Sequence, residues 1–330
     1  MSGPRLERDR LTWVTYLQLG SYGYFLYGVG PSLSLLRDEL DISRTVAGLH
    51  GTALAVGALA SALVLAPAVR RLGRGPVIWG GLALLALGVV VYTAASVLPL
   101  TLVGAFLGSF GGSFAITSSA AVLTDRHGPG GAAAVTEANA VAAGVGLLAP
   151  LMVGLGVISG LGWRPAMLLV VPVLVVTAVV GRSVAVPAPA SGSVSRDLGR
   201  LPGRYWVSWT VLTAGIAVEF CMTLWAADLL RDRTALSSAG AAAGVTAIVA
   251  GMAAGRFAGG RLALRHSADN LLLAALATVA VGFAAFWLTR HPAVALAGIV
   301  VCGLGIALCD PLALVRASAA AGARPALASA

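Results

Sequence analysis

Long apolar runs, each closed by glycine, proline or arginine, recur along nearly the whole chain. The hydrocarbon core of a bilayer is about 30 Å thick, so a helix rising about 1.5 Å per residue needs about 20 apolar residues to cross it. No water is available there, and only helical bonding within the segment satisfies each backbone group. Ten segments qualify, near residues 11–33, 46–69, 76–96, 99–123, 132–158, 164–182, 205–229, 237–258, 270–289 and 293–315. They predict an all-α, polytopic membrane protein with ten transmembrane helices and no soluble domain of useful size. The apolar stretch after Arg10 is too long for a signal-peptide core and lacks a small-residue cleavage site, so the first helix is expected to remain in the mature protein.

Composition agrees with this picture. Hydrophobic residues fill 58% of the 330 positions and charged residues only 11%, against roughly a quarter charged in soluble domains. All 22 basic residues are arginine, which points to a GC-rich genome. The net charge of +9 comes without a basic patch interleaved with aromatics, so nucleic acid is not an expected partner. Cys221, Cys302 and Cys309 fall in apolar stretches without ligand spacing and read as small packing residues.

Cytoplasmic loops carry an excess of positive residues. With the N-terminus inside, sixteen of the 22 arginines fall on inner segments and six, Arg37, Arg44, Arg164, Arg231, Arg233 and Arg290, on outer ones. This asymmetry predicts cytoplasmic termini in a plasma membrane. The longest hydrophilic stretch, with Pro187, Pro189, Ser191, Gly192, Ser193 and Pro202, has a linker's composition. It divides the chain into a six-helix half at 1–182, a cytoplasmic linker at 183–204 and a four-helix half at 205–330.

A constant shift of 194 residues aligns the halves: Gly57 falls on Gly251, Gly88 on Gly282, Gly104 on Gly298, Gly111 on Gly305 and Arg71 on Arg265. Parallel repeated halves are a transporter architecture. By the same shift the chain stops where the fifth helix of the second half would begin. The expectation is a truncated product lacking two helices.

The loop after the second span reads Ala66-Pro67-Ala68-Val69-Arg70-Arg71-Leu72-Gly73-Arg74-Gly75, and here the chain resembles the major facilitator superfamily. Arg71, Gly73 and Arg74 match that family's loop signature. Arg70 stands where the family has an acid, which puts in doubt the charge lock the resemblance implies. Gly255-Arg256 and Gly260-Arg261-Leu262, with Arg265, resemble the second-half counterpart. Gly144, Gly146, Ala149, Pro150 and Gly154 are similar to the Gly-Pro helix of the family's exporters, although close packing explains the glycines equally well.

An ionised side chain near mid-membrane is costly and is therefore a functional candidate. Glu219, in Val218-Glu219-Phe220-Cys221-Met222, is the foremost. Desolvation would suit it to take and release a proton, the alternative being a structural bond to a neighbouring helix. Asp310, beside Pro311, is a second candidate for substrate or proton, or caps the proline-broken turn. Glu137 is expected to pair with a loop arginine such as Arg74 or Arg126. Tyr24 and Tyr27 share a helix face and form a candidate aromatic wall for an organic solute. Ser109, Ser113 and Thr117 make a hydroxyl stripe, for which bonds to carbonyls of the same helix are the plain explanation.

Gly144-Val145-Gly146 imitates a dinucleotide loop but has no preceding strand, and no phosphate loop, nucleophile elbow or zinc helix occurs. His50, His127, His266 and His291 are scattered over loops and ends. No enzyme, cofactor or metal is expected. The sequence reads as a monomeric secondary carrier of a small organic solute, coupled to protons through Glu219, with export favoured. Uptake of a sugar or organic acid, or an inactive truncated membrane protein, are the alternatives.

Overall fold

The computed structural model describes residues 8–187, 202–262 and 266–321, excepting the side chains of Asp310, Arg261 and a few others. Among the described residues the regular structure is helical throughout. The helices are α1 (Arg10–Glu39), α2 (Arg44–Ala47), α3 (Leu49–Leu72), α4 (Arg74–Ala94), α5 (Leu98–His127), α6 (Gly131–Ile158), α7 (Trp163–Leu168), α8 (Val170–Gly181), α9 (Gly203–Arg233), α10 (Ser238–Gly244), α11 (Thr246–Leu262), α12 (Ala268–Leu288) and α13 (Pro292–Ala321). Two compact units result. The first holds α1 to α8 together with Ser238–Ala243, and the second holds α9 and the chain from Gly244 onward.

Nine stretches among the described residues are long and apolar enough to cross a membrane, where ten were expected. The exception is α1. Its 30 residues carry Gln18, four tyrosines and several hydroxyls, which lower its average hydropathy. Thr12, Thr15, Gln18, Ser21, Ser32 and Ser34 are nevertheless buried within the unit. Composition counts those groups as a cost, although buried polar groups with partners cost little. The sixth expected span is broken at Leu169 into α7 and α8. Pro172 lacks the N–H that would bond the Leu168 carbonyl, so the turn cannot continue through that point.

The 194-residue shift carries the limits of α4 onto α12 and those of α5 onto α13 without offset. The packing repeats with it. A Cβ at Gly88 would lie 2.2 Å from the Gly108 nitrogen and 2.8 Å from the Gly104 oxygen. At Gly282 it would lie 2.3 Å from the Cys302 nitrogen and 2.8 Å from the Gly298 oxygen, on the residues the shift designates. Gly111 meets the Gly81 carbonyl and Gly305 the Ala275 carbonyl in the same relation. Side-chain-free crossings let helix backbones touch where lipid supplies no hydrophobic drive for association. The repeat is thus a shared set of backbone contacts within each unit.

Candidate functional site

In the first unit, α1 and α5 meet along a seam of polar side chains. Ser119 Oγ donates to Gln18 Oε1 at 2.8 Å, and Tyr22 Oη and Ser113 Oγ share a bond of 2.9 Å. Ser109 Oγ donates to the Leu54 carbonyl of α3 at 2.7 Å. Ser109 and Ser113 of the hydroxyl stripe therefore reach other helices, instead of bonding back along α5 as expected. Its reach follows from glycine: the Tyr22 ring lies over Gly112 so closely that a Cβ there would be 1.9 Å from Cδ2. Ser113 is half-buried and Thr117 exposed.

Tyr24 and Tyr27 have different surroundings. Tyr24 is buried, and its O–H donates to the Ala166 carbonyl of α7 at 2.7 Å. Its hydroxyl is thereby committed to holding α7. Tyr27 is half-buried, with its ring against Gly146 of α6. Pro150 is buried one turn farther on, inside a helix that runs unbroken through it.

The arginine-rich end of this unit is tied by three ion pairs that span sequence-distant helices. Arg74 Nη1 lies 2.5 Å from Asp125 Oδ2, Arg126 Nη2 lies 2.8 Å from Asp9 Oδ2, and Arg8 Nε lies 2.7 Å from Glu137 Oε1. Glu137 thus pairs with an arginine, but not with Arg74 or Arg126, which already hold Asp125 and Asp9. Burial pushes the Asp9 carboxyl up. Bonds from the Thr12 N–H and O–H and from Arg126 outweigh it and hold the group below the usual carboxylate range. Gly73 links α3 to α4 at φ 83°, a left-handed backbone that suits glycine. Arg70 and Arg71 are exposed.

A second cluster stands at the opposite end of α1. Glu39 accepts from Trp163 Nε1 at 2.8 Å and pairs with Arg164 Nη1 at 2.5 Å, while Arg164 Nε donates to the Thr93 carbonyl at 2.8 Å. Beside it His50 is fully buried, with Nε2 2.9 Å from Thr101 Oγ1 and Nδ1 3.0 Å from the Ala47 carbonyl. His50 is therefore a core residue, unlike the scattered loop histidine expected.

In the second unit, Glu219 lies near the middle of α9 and is half-buried, flanked by the exposed side chains of Val218 and Phe220. Its backbone carbonyl accepts from Thr223 Oγ1 at 2.7 Å. Asp228, on the same helix, is buried with 5% exposure. Gly255 fits against the Leu304 carbonyl of α13, and the adjacent Arg256 is exposed. Asp310 falls on α13, but its side chain lies outside the described residues. Cys302 and Cys309 are buried, while Cys221 is exposed and so departs from the packing role expected for it. Among the described residues no group of three His, Cys, Asp or Glu side chains converges to hold a metal ion.

Residues 15–330 match the family model of the Major Facilitator Superfamily. The chain belongs to the major facilitator superfamily. Solved transporters of similar fold include a D-xylose–proton symporter, at 15% identity and TM-score 0.75, with 97% of this chain and 87% of that one covered. The nucleoside transporter NupG gives 12% identity and TM-score 0.77, covering 97% and 86%. A bacterial homolog of the human lysosomal transporter Spinster gives 17% and 0.69, covering 92% and 72%. No curated protein sequence matches the chain. It is a multi-pass membrane transport protein of this superfamily, not an enzyme.

In this facilitator-superfamily chain, two carboxylates that the sequence analysis did not single out are engaged by the fold. Asp125 follows Thr124 at the end of the fourth span and pairs with Arg74 at the start of α4. Asp228 stands near the C-terminal end of α9 and is buried.

Proposed function

We propose that the chain is a secondary active transporter that moves a small organic solute across the plasma membrane in exchange for protons, with Glu219 as the proton-carrying group. The observation that carries this reading is a half-buried carboxylate within the otherwise apolar run Ile216–Met222 of α9. A carboxylate held away from water favours its protonated form, and an altered environment during transport releases the proton. The solute path would use the Tyr22–Ser113 seam, Tyr27 and Asp310. The two repeated halves, 1–182 and 205–330 joined by 183–204, would alternate access about it with both termini in the cytoplasm, in keeping with the arginine distribution.

Export is the favoured direction, because Pro150 and Gly146 give α6 the character of the exporters' Gly-Pro helix. The second reading is uptake of a sugar or organic acid, favoured by the fold likeness to a D-xylose–proton symporter. In proteoliposomes carrying candidate solutes, an imposed pH gradient is expected to drive accumulation by the wild-type chain. Glu219→Gln should keep solute counterflow while losing gradient-driven accumulation about tenfold or more, as for loss of the one coupling group. Unchanged coupling in that variant would remove the assigned role, and the gradient's polarity decides between export and uptake.

A further inference from the structure

An apolar groove of about 460 Å³ runs along the first unit between α4 and α8. Its floor is opened by small side chains, Ala83, Ala86 and Ala178, and its walls include Leu82 and Val175. Among the described residues no carboxylate lines it. One end is closed by Trp79 and Arg182, its only polar lining residues among those described. Arg182 is exposed, and among the described residues its guanidinium has no hydrogen bond or ion pair. Arg10 adds a second positive charge there, since its Nη2 donates to the Val180 carbonyl at 2.8 Å, two residues before Arg182. The Trp79 ring is set by contact with Gly181, where a Cβ would lie 2.4 Å from the ring edge.

The dimensions are those of one leaflet. From Arg182 to Val171 along α8 the groove extends about 16 Å at 1.5 Å per residue, roughly half of a 30 Å hydrocarbon core. Its volume lies within the 300–1,000 Å³ typical of ligand sites. A basic, aromatic mouth on an apolar trough complements a phosphodiester headgroup with an acyl tail, because a guanidinium free of other partners binds phosphate oxygens in two-pronged fashion.

We infer that the α4–α8 groove is a specific site for one anionic phospholipid, its phosphate on Arg182 and Arg10 with Trp79 at the headgroup level, and one acyl chain lying along Ala83 and Ala86. The site needs no transport to be occupied, so its test is independent of the carrier reading. The full chain is reconstituted in nanodiscs of mixed phosphatidylglycerol and phosphatidylcholine, released, and examined by native mass spectrometry for retained lipid. The wild type is expected to retain one phosphatidylglycerol, enriched about fivefold over its bulk share, the factor contributed by about one arginine near a headgroup. Arg182→Gln should bring retention to the bulk ratio, and Ala86→Phe, which fills the trough, should reduce bound lipid of either kind. Arg290→Gln, which removes an exposed arginine of the second unit, should leave the enrichment intact. Enrichment that survives Arg182→Gln, or falls equally in Arg290→Gln, would overturn the site. Arg182→Gln alters only an exposed side chain, so it decides the matter even if Ala86→Phe fails to fold.

Discussion

Asp9 does two jobs with one carboxylate: it caps α1 through the Thr12 N–H at 2.9 Å, and it anchors Arg126 of α5. The two are separable by substitution. Asp9→Ala should cost about 1 kcal/mol, the usual loss of a side-chain cap, whereas Asp9→Asn keeps an acceptor and should cost only a few tenths. Because its folded pKa is lowered, the stability Asp9 contributes is complete above its ordinary value and is lost as pH falls through the lower folded value. Thermal unfolding in detergent should thus show wild type and Asp9→Asn converging below about pH 4 and differing above it. Arg74 and Asp125 invite a double-mutant cycle, for which Arg74→Gln and Asp125→Asn should couple by about 0.5–1 kcal/mol. At this scale the sequence was half legible. Glu219 stood out because a lone charge interrupts an apolar run, and no fold is needed to notice that. The commitments of Tyr24, Glu137 and His50 were hidden, since their partners Ala166, Arg8 and Thr101 lie 142, 129 and 51 residues away along the chain.

Helices were far more legible, because bilayer thickness imposes a minimum apolar length that loops do not reach. The limits of α4 and α12 fall within two residues of the apolar segments read from the sequence. Where elements departed from the pattern, a local cause is visible: Pro172 divides the sixth span, and α1 runs on through Arg37 and Glu39 because polar residues end an apolar segment without ending a helix. Packing at the repeated glycines is the strongest element-level statement. Gly88→Ala and Gly282→Ala each force a Cβ onto partner backbone, and both should destabilise by about 1–3 kcal/mol, as overpacked sites do. Gly80→Ala, with nothing within 4 Å of the new carbon, should be neutral in the same thermal assay. A large difference between Gly88→Ala and Gly282→Ala would contradict the shared register.

For the whole molecule, the repeat was legible as a shift of 194 residues, but its meaning was not. Glycine matches in a glycine-rich chain acquire weight only once the same backbone atoms are seen to meet in both units. The units have also diverged in chemistry. The Tyr22–Ser113 seam of the first corresponds by that shift to Ile216 and Ala307 in the second, where Glu219 instead replaces a Phe25-like position. At these positions the first unit carries hydroxyls and the second a carboxylate. The measurement that bears most directly on this account is proton movement recorded with solute flux across liposomes containing the purified chain. Addition of a transported solute should shift the internal pH, and collapse of the pH gradient by a protonophore should abolish uphill solute movement. Solute accumulation that persists undiminished after that collapse, with no accompanying pH change, would contradict the proton-coupled carrier.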